Sequence, residues 1–314
     1  MLRGLAILFV VVGHFTPTTT RVELSFMVGL SAAGVVLFFF LSGFLMDLTF
    51  AQNGRLGPYL IRRAFRILPM YWVSIAVIFF SEGVWSAKDV IANATFTAPI
   101  FGVTRMSGIY WTLYIEVLFY ALVPVLFFLG PRMIVAAPYA LLAAYGLAKI
   151  AHVPLSAAPF FLAFCLLGMQ FGLWHRRKID GYVVLLSTAV IICAASTLPG
   201  FSPWLGLAPV ICAPLLYAAI TLNPRQRILE ICGHVSYSWY LLHAIVAHAV
   251  INALISHGWN LWPASLLGVT VAFGCAACTY RIVEQPAISA GKVLIRKLTT
   301  SERGVVRAAV TATE

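Results

Sequence analysis

Two ionisable side chains, Arg3 and His14, lie in the otherwise apolar first segment of the chain. Eleven residues turn an α-helix through about three full turns, so both side chains project from one face, roughly 16 Å apart along the axis. A charge or an imidazole in hydrocarbon is costly unless it faces the protein interior, which makes such residues candidates for function. The pair therefore predicts chemistry inside a membrane.

The composition is that of a membrane protein, because 61% of the 314 residues are hydrophobic and only 10% are charged. Apolar runs long enough, or nearly long enough, to span a bilayer predict an all-α bundle of about ten transmembrane helices. They lie at about residues 2–16, 24–47, 68–86, 109–129, 132–151, 157–174, 181–198, 203–221, 234–255 and 262–283.

The positive charges predict the orientation of this bundle. Most of the 21 lysines and arginines fall in loops on one side if both termini are cytoplasmic, as the positive-inside rule requires. The net charge of +11 then reflects topology, and we expect no nucleic-acid partner. We predict a transmembrane domain over residues 1–286 and a basic, partly disordered cytoplasmic tail over 287–314, with an amphipathic segment at 284–298.

The six cysteines predict no metal site. All of them fall in or beside apolar segments, where a small buried packing residue is the ordinary interpretation. Cys275 and Cys278 are one helical turn apart, but the sequence has no second ligand pair with matching spacing.

Among the ten acidic residues, Glu116 is predicted to be the only one inside a span, at a depth similar to that of His14, whereas Asp47 and Glu284 are predicted to lie at cytoplasmic ends. Ser236, Tyr240 and His243 share one face of a later span, because they occur at positions i, i+4 and i+7. We therefore predict a catalytic group of His14, Glu116 and His243. For His243 alone, a histidine hydrogen-bonded between helices is an equally good interpretation.

Three arginines, Arg62, Arg63 and Arg66, precede Tyr71 at the start of the third apolar run. A planar guanidinium suits phosphate, so with Arg3 these residues are candidates for binding a phosphorylated ligand at the membrane edge. Composition alone favours the simpler interpretation, an anchor of positive charge on the inner side.

The chain resembles the integral membrane acyltransferase 3 family of O-acyltransferases in an ordered set of motifs. These are Arg3-Gly4-Leu5-Ala6 with His14, Phe38-Phe39-Phe40-Leu41-Ser42-Gly43-Phe44, Arg63 and Arg66 with Ile67, Pro69 and Tyr71, Trp111-Thr112-Leu113 with Glu116, Phe119 and Tyr120, Gly233 with Ser236, Tyr237, Tyr240, Leu241 and His243, and finally Glu284 with Pro286.

The resemblance implies transfer of an acyl group, usually acetyl, from acetyl-CoA or another acyl-CoA to a hydroxyl of a sugar or lipid-linked glycan. It also implies a bacterial cytoplasmic (inner) membrane and acceptors such as exopolysaccharide, lipopolysaccharide or nodulation factors. His14 would be the general base, and Glu116 would orient it or bind the sugar. Arg3, Arg62, Arg63, Arg66 and Tyr71 would bind coenzyme A. Trp111, Tyr237 and Tyr240 are the candidates for binding the acceptor.

Two other functions remain open at this point. A transporter or flippase of a lipid-linked sugar would also need buried polar groups, and His14, Glu116 and His243 would suit a proton relay. Against it, the sequence has no matching interrupted helices or repeated halves. A sensor or scaffold is the third interpretation, although it does not require an acid and aligned histidines inside the membrane.

Overall fold

The computed structural model describes residues 1–18, 20–153, 156–197, 203–222 and 224–311, and within these ranges the chain is helical with no strand. The helices are α1 Leu2–Phe15, α2 Arg21–Asn53, α3 Leu56–Glu82, α4 Ala87–Ala94, α5 Tyr110–Leu129, α6 Pro131–Ile150, α7 Ala158–His175, α8 Gly181–Thr197, α9 Pro203–Leu222, α10 Arg227–Ser256, α11 Leu261–Thr279 and α12 Gln285–Thr311, with a π-helical turn at Tyr280–Glu284 between the last two.

Every predicted apolar run coincides with a helix, and the all-α class is confirmed. Among the described residues, seven helices are long and apolar enough to cross a membrane, and three shorter apolar helices accompany them at Leu2–Phe15, Gly181–Thr197 and Ala208–Leu222. The protein is therefore an integral membrane protein. The count of ten spans and the cytoplasmic position of both termini stay predictions.

Helix α1 is enclosed between α2 and α10, and glycines permit the close approach. A Cβ at Gly4 would overlap the backbone of Leu229 on α10, and one at Gly13 would overlap the backbone of α2 at Ser31. Helices α1 and α10 run parallel with a constant offset, so Gly4 faces Gly233 at one end and His14 faces His243 at the other. Small residues are the usual means of close helix packing in a bilayer.

Helices α2 and α7 pack equally closely. Gly43 lies against the carbonyl of Cys165, and Gly168 against that of Phe40. At the end of this contact, Arg176 donates from Nε and Nη2 to the two carboxylate oxygens of Asp47, at 2.9 and 2.7 Å. Asp47, predicted to lie at a span's end, is fully buried inside α2.

The C-terminal part of the chain folds back along α3. The π-helical turn continues directly into α12, and Gly291 packs against the side chain of Phe65. The predicted basic segment at 284–298 is thus helical and contacts the bundle. The predicted disorder of the tail falls in part on residues 312–314, which lie outside the described residues.

We expect Gly168→Ala to lower the stability of the bundle, because its methyl group would meet the Phe40 carbonyl across the α2–α7 contact. Overpacking of this kind costs about 1–3 kcal/mol. Gly146→Ala on α6 is the matched control, since nothing lies near its added methyl and alanine favours a helix. Thermal unfolding in detergent should show a lower midpoint for Gly168→Ala only; equal midpoints for both variants would contradict this packing.

Candidate functional site

A pair of histidines joins α1 to α10. His14 Nδ1 lies 3.3 Å from His243 Nε2, and the two rings are stacked with centroids 5.3 Å apart. On its other side, His14 Nε2 lies 3.2 Å from the hydroxyl of Ser31 on α2. The structure thus brings together two of the three predicted catalytic residues, and it adds Ser31, which no pattern in the sequence singled out.

The two histidines differ in their access to the surroundings. His14 is exposed at the last turn of α1, whereas His243 is only 1% exposed. His243 Nδ1 donates to the backbone carbonyl of Tyr240 at 2.6 Å. Phe15 packs edge-on against His243 and also touches His248. An incoming molecule can therefore contact His14, whereas His243 is buried behind the His14 ring.

A narrow cavity begins one turn from His243 and extends toward Arg3. We call it the arginine cavity; it is formed by α1, α2, α3, α5 and α10 and has a volume of about 60 Å³. Arg3, Arg66, Glu116, Tyr237 and Tyr240 all line it.

Both tyrosines of this cavity are anchored by their hydroxyls. The Tyr240 hydroxyl is hydrogen-bonded to that of Thr112 at 2.8 Å, and the Tyr237 hydroxyl donates to the Ile67 carbonyl at 2.9 Å. Their rings therefore form fixed walls.

A wider cavity of about 480 Å³ lies beyond the arginines, and we call it the vestibule. Arg3 and Arg66 line both spaces and so form the neck between them. Glu230, His234 and Tyr280 contribute to the outer wall of the vestibule. The arrangement suits a ligand with a bulky anionic head and a thin chain, because only the chain fits beyond the neck.

Glu116 lies within α5, inside a candidate membrane span, as the sequence predicts. It accepts a short hydrogen bond from the Tyr120 hydroxyl and lines the arginine cavity, and neither its hydrogen bonds nor those of His14 join the two residues. Of its two predicted roles, orienting His14 has no direct hydrogen bond behind it in the described part of the chain, and binding the sugar stays a prediction. Beside it, the Arg63 guanidinium lies over the rings of Tyr59 and Tyr120, at 5.9 and 5.2 Å.

Glu284 was not predicted to be a site residue, but it is buried beside Arg66. It is 1% exposed on the π-helical turn and accepts a hydrogen bond from the Ser238 hydroxyl at 2.6 Å. Its other carboxylate oxygen is 3.6 Å from an Nη atom of Arg66. The last motif of the family resemblance, Glu284 with Pro286, is the feature of the sequence that could have identified Glu284 as a site residue.

The four arginines carry more positive charge than the two nearby carboxylates, Glu116 and Glu284, can balance. The Nε atoms of Arg3, Arg62 and Arg63 are buried and have no hydrogen-bond partner in the described part of the chain. A buried donor without a partner costs free energy, and an anion with several acceptor oxygens would satisfy it. Of these three arginines only Arg3 lines the cavities, where Arg66 joins it, so these two residues fit a phosphorylated ligand.

Tyr71 and Trp111 are not among the residues that line the arginine cavity. The Tyr71 hydroxyl donates to the carbonyl of Asn93 at 2.8 Å, and its ring stacks on Phe96. Trp111 packs against Phe39 and Phe161. These contacts stabilise the bundle, and the predicted ligand-binding roles of both residues find no support in them.

Tyr71 holds the segment of the short helix α4 against the bundle. Ser86 caps this helix, because its hydroxyl oxygen accepts from the Asp89 amide at 3.3 Å. The hydroxyl and amide of Ser86 also donate to the Asp89 carboxylate, at 2.6 and 2.9 Å. These hydrogen bonds lower the pKa of the Asp89 carboxyl.

A metal site was not predicted from the sequence. The described residues contain no group of three or more His, Cys, Asp or Glu side chains that could hold a metal ion.

The fold and the site define a class, a helical membrane protein with an accessible histidine at one end of a buried cationic cavity. Residues 1–281 match the family model described as Acyltransferase domain, and the chain belongs to this acyltransferase 3 family. It is therefore a membrane acyltransferase. The chain is 27% identical to Nodulation protein 10 of Rhizobium leguminosarum bv. viciae, with 85% of each chain covered. No solved structure matches it.

We expect inorganic pyrophosphate to stabilise the protein against heat, because it would satisfy the unpaired arginine donors. At one hundred times its dissociation constant, a ligand stabilises by about 2.7 kcal/mol. Arg3→Gln should reduce the shift in the unfolding midpoint, whereas Arg132→Gln, which removes an exposed charge from α6, should leave it unchanged. Identical shifts in both variants would show that the anion binds elsewhere.

Proposed function

We propose that this acyltransferase transfers an acetyl group from acetyl-CoA to a hydroxyl of a cell-surface or exported glycan. The observation that carries the proposal is the arrangement along one helix face: Arg3 stands at the neck of two cavities, and His14 stands exposed about 16 Å away. Binding groups for a phosphorylated donor and a base for a hydroxyl are thus held on one helix.

The donor would enter from the Arg3 end. The phosphates of coenzyme A would bind Arg3 and Arg66 in the vestibule, with Arg62 and Arg63 adding positive charge nearby. Glu284 would hold Arg66 in place through their ion pair. The thin pantetheine arm would lie in the arginine cavity between Tyr237 and Tyr240, so that the thioester approaches the histidine pair. The positive-inside rule predicts that this end is cytoplasmic.

The acceptor would enter from the His14 end. His14 would take the proton of the attacking hydroxyl while that oxygen forms a bond to the thioester carbon. The carbon–sulfur bond then breaks, and the leaving thiolate of coenzyme A takes the proton from His14. A glycan beyond the membrane would thus be acetylated by a donor from the cytoplasm of a bacterial cell. The similarity to Nodulation protein 10 agrees with the nodulation-factor acceptors that the family resemblance implies.

We expect His14→Ala to lower the rate of acetyl transfer by about 10² to 10⁴, because the hydroxyl loses its general base. The exposed residue His257, at the end of α10, provides the control variant His257→Ala, which should keep full activity. Both variants should be reconstituted in liposomes and supplied with acetyl-CoA and acceptor, and the free thiol should be measured. Undiminished thiol release by His14→Ala would overturn its assignment as the base.

The acceptor should be identified by mass spectrometry of surface and secreted glycans from cells with and without this gene. Loss of an acetyl mass from one glycan would name both the acyl group and the acceptor. Movement of a lipid-linked sugar without consumption of the thioester would instead favour the transport interpretation. Loss of a longer acyl mass would contradict the acetyl assignment.

A further inference from the structure

A chain of hydrogen bonds runs from the backbone of α10 to the exposed histidine of α1, and its direction can be derived from its first member. A carbonyl oxygen only accepts hydrogen bonds, so the contact of 2.6 Å to the Tyr240 carbonyl requires a proton on His243 Nδ1. The direction of every later hydrogen bond depends on whether His243 Nε2 also carries a proton.

His243 is held as a neutral ring. It is 1% exposed, and its hydrogen bonds in the described part of the chain go to the Tyr240 carbonyl and to His14, with no carboxylate. A cationic imidazole buried without a counter-charge is strongly disfavoured. The second nitrogen, Nε2, therefore presents a lone pair to His14.

The lone pair of His243 determines the tautomer of His14. Since His243 Nε2 accepts, His14 Nδ1 carries a proton and donates it across the distance of 3.3 Å. In a neutral His14 ring, Nε2 is then the unprotonated, basic nitrogen. The Ser31 hydroxyl, 3.2 Å away, donates to that nitrogen.

We propose that His243 is a positioning residue that holds His14 in the Nδ1-protonated tautomer, so that His14 acts through Nε2 alone. The inference rests on the proposed role of His14 as general base, and it deepens that role. Ser31 marks the position from which an acceptor hydroxyl donates its proton, because its own hydroxyl occupies that position in the free enzyme.

The arrangement accounts for the whole proton path. Once the Ser31 hydroxyl turns away from His14 Nε2, the acceptor proton moves to that nitrogen as the acceptor oxygen bonds to the thioester carbon. The resulting imidazolium keeps its own Nδ1 proton, which stays hydrogen-bonded to His243. When the carbon–sulfur bond breaks, the Nε2 proton passes to the thiolate, and His14 returns to its starting tautomer. His243 neither gains nor loses a proton; it stabilises the transient cation as a neutral acceptor.

The geometry also explains why no carboxylate is needed at His14. In catalytic triads an acid orients the histidine, and its replacement by an amide that imposes the wrong tautomer costs about 10⁴ in rate. Here a second histidine, itself oriented by the Tyr240 carbonyl, supplies the acceptor for His14 Nδ1. The parallel register of α1 and α10 holds both rings, since Gly4 and Gly233 lock the other end of the same contact.

The test compares two replacements of His243 in the full-length protein. His243→Leu removes the acceptor, while His243→Gln offers a side-chain carbonyl that can accept from His14 Nδ1. We expect His243→Leu to lower kcat by about 10² to 10⁴ with little change in the KM for acetyl-CoA. His243→Gln should restore at least a tenth of the wild-type kcat. Equal loss in both variants, or full activity of His243→Leu, would overturn the inference.

A second measurement does not depend on the folding of any His243 variant. Nitrogen NMR of wild-type protein labelled at histidine distinguishes protonated from unprotonated ring nitrogens, and the His14 signals are identified by their absence in His14→Gln. We expect Nδ1 of His14 to be protonated and Nε2 to be bare; the opposite pattern sinks the inference. Full activity of His14→Ala would instead refute the base assignment itself, so the two failures are distinguishable.

Discussion

The close parallel contact between α1 and α10 is the interaction on which the site depends. Gly4 permits the backbones to approach at one end, and because both helices run in the same direction, the same register stacks His14 on His243 ten residues later. The contact also holds Arg3 over the neck of the two cavities. A larger residue at Gly4 would separate the helices and disturb His14 and the cationic neck together.

The two ends of the site differ in charge. The Arg3 end concentrates four guanidinium groups against two carboxylates, and three of their buried Nε donors have no hydrogen-bond partner among the described residues. In a low-dielectric surrounding such an excess attracts an anion strongly. At the other end, the described contacts of His14 are with the rings of Phe15 and His243 and the hydroxyl of Ser31, and none of them is with a carboxylate. This separation matches a reaction in which an anionic donor is bound at one end and an uncharged hydroxyl is deprotonated at the other.

Much of this architecture was predictable, and the failures share one cause. The apolar runs predicted the helices, and helical periodicity put Arg3 and His14 on one face and grouped Tyr240 with His243. The sequence left open whether Glu116 orients His14 or binds the sugar, and it did not indicate that Glu284 is buried beside Arg66, because depth was inferred from distance along each helix. Depth does not say which neighbour a side chain faces, and the π-helical turn that buries Glu284 has no signal in hydropathy.

The sequence by itself determined the class of protein, the helices and the residue types available for chemistry, because hydrophobicity and helical periodicity are local properties of the chain. Its motif blocks also indicated the family. Only the tertiary structure decided which of these residues meet: His14 with His243 and Ser31, Glu284 with Arg66, and Tyr71 with the segment after α3. Those pairings depend on the register and rotation of packed helices, which arise from contacts between residues far apart in the sequence.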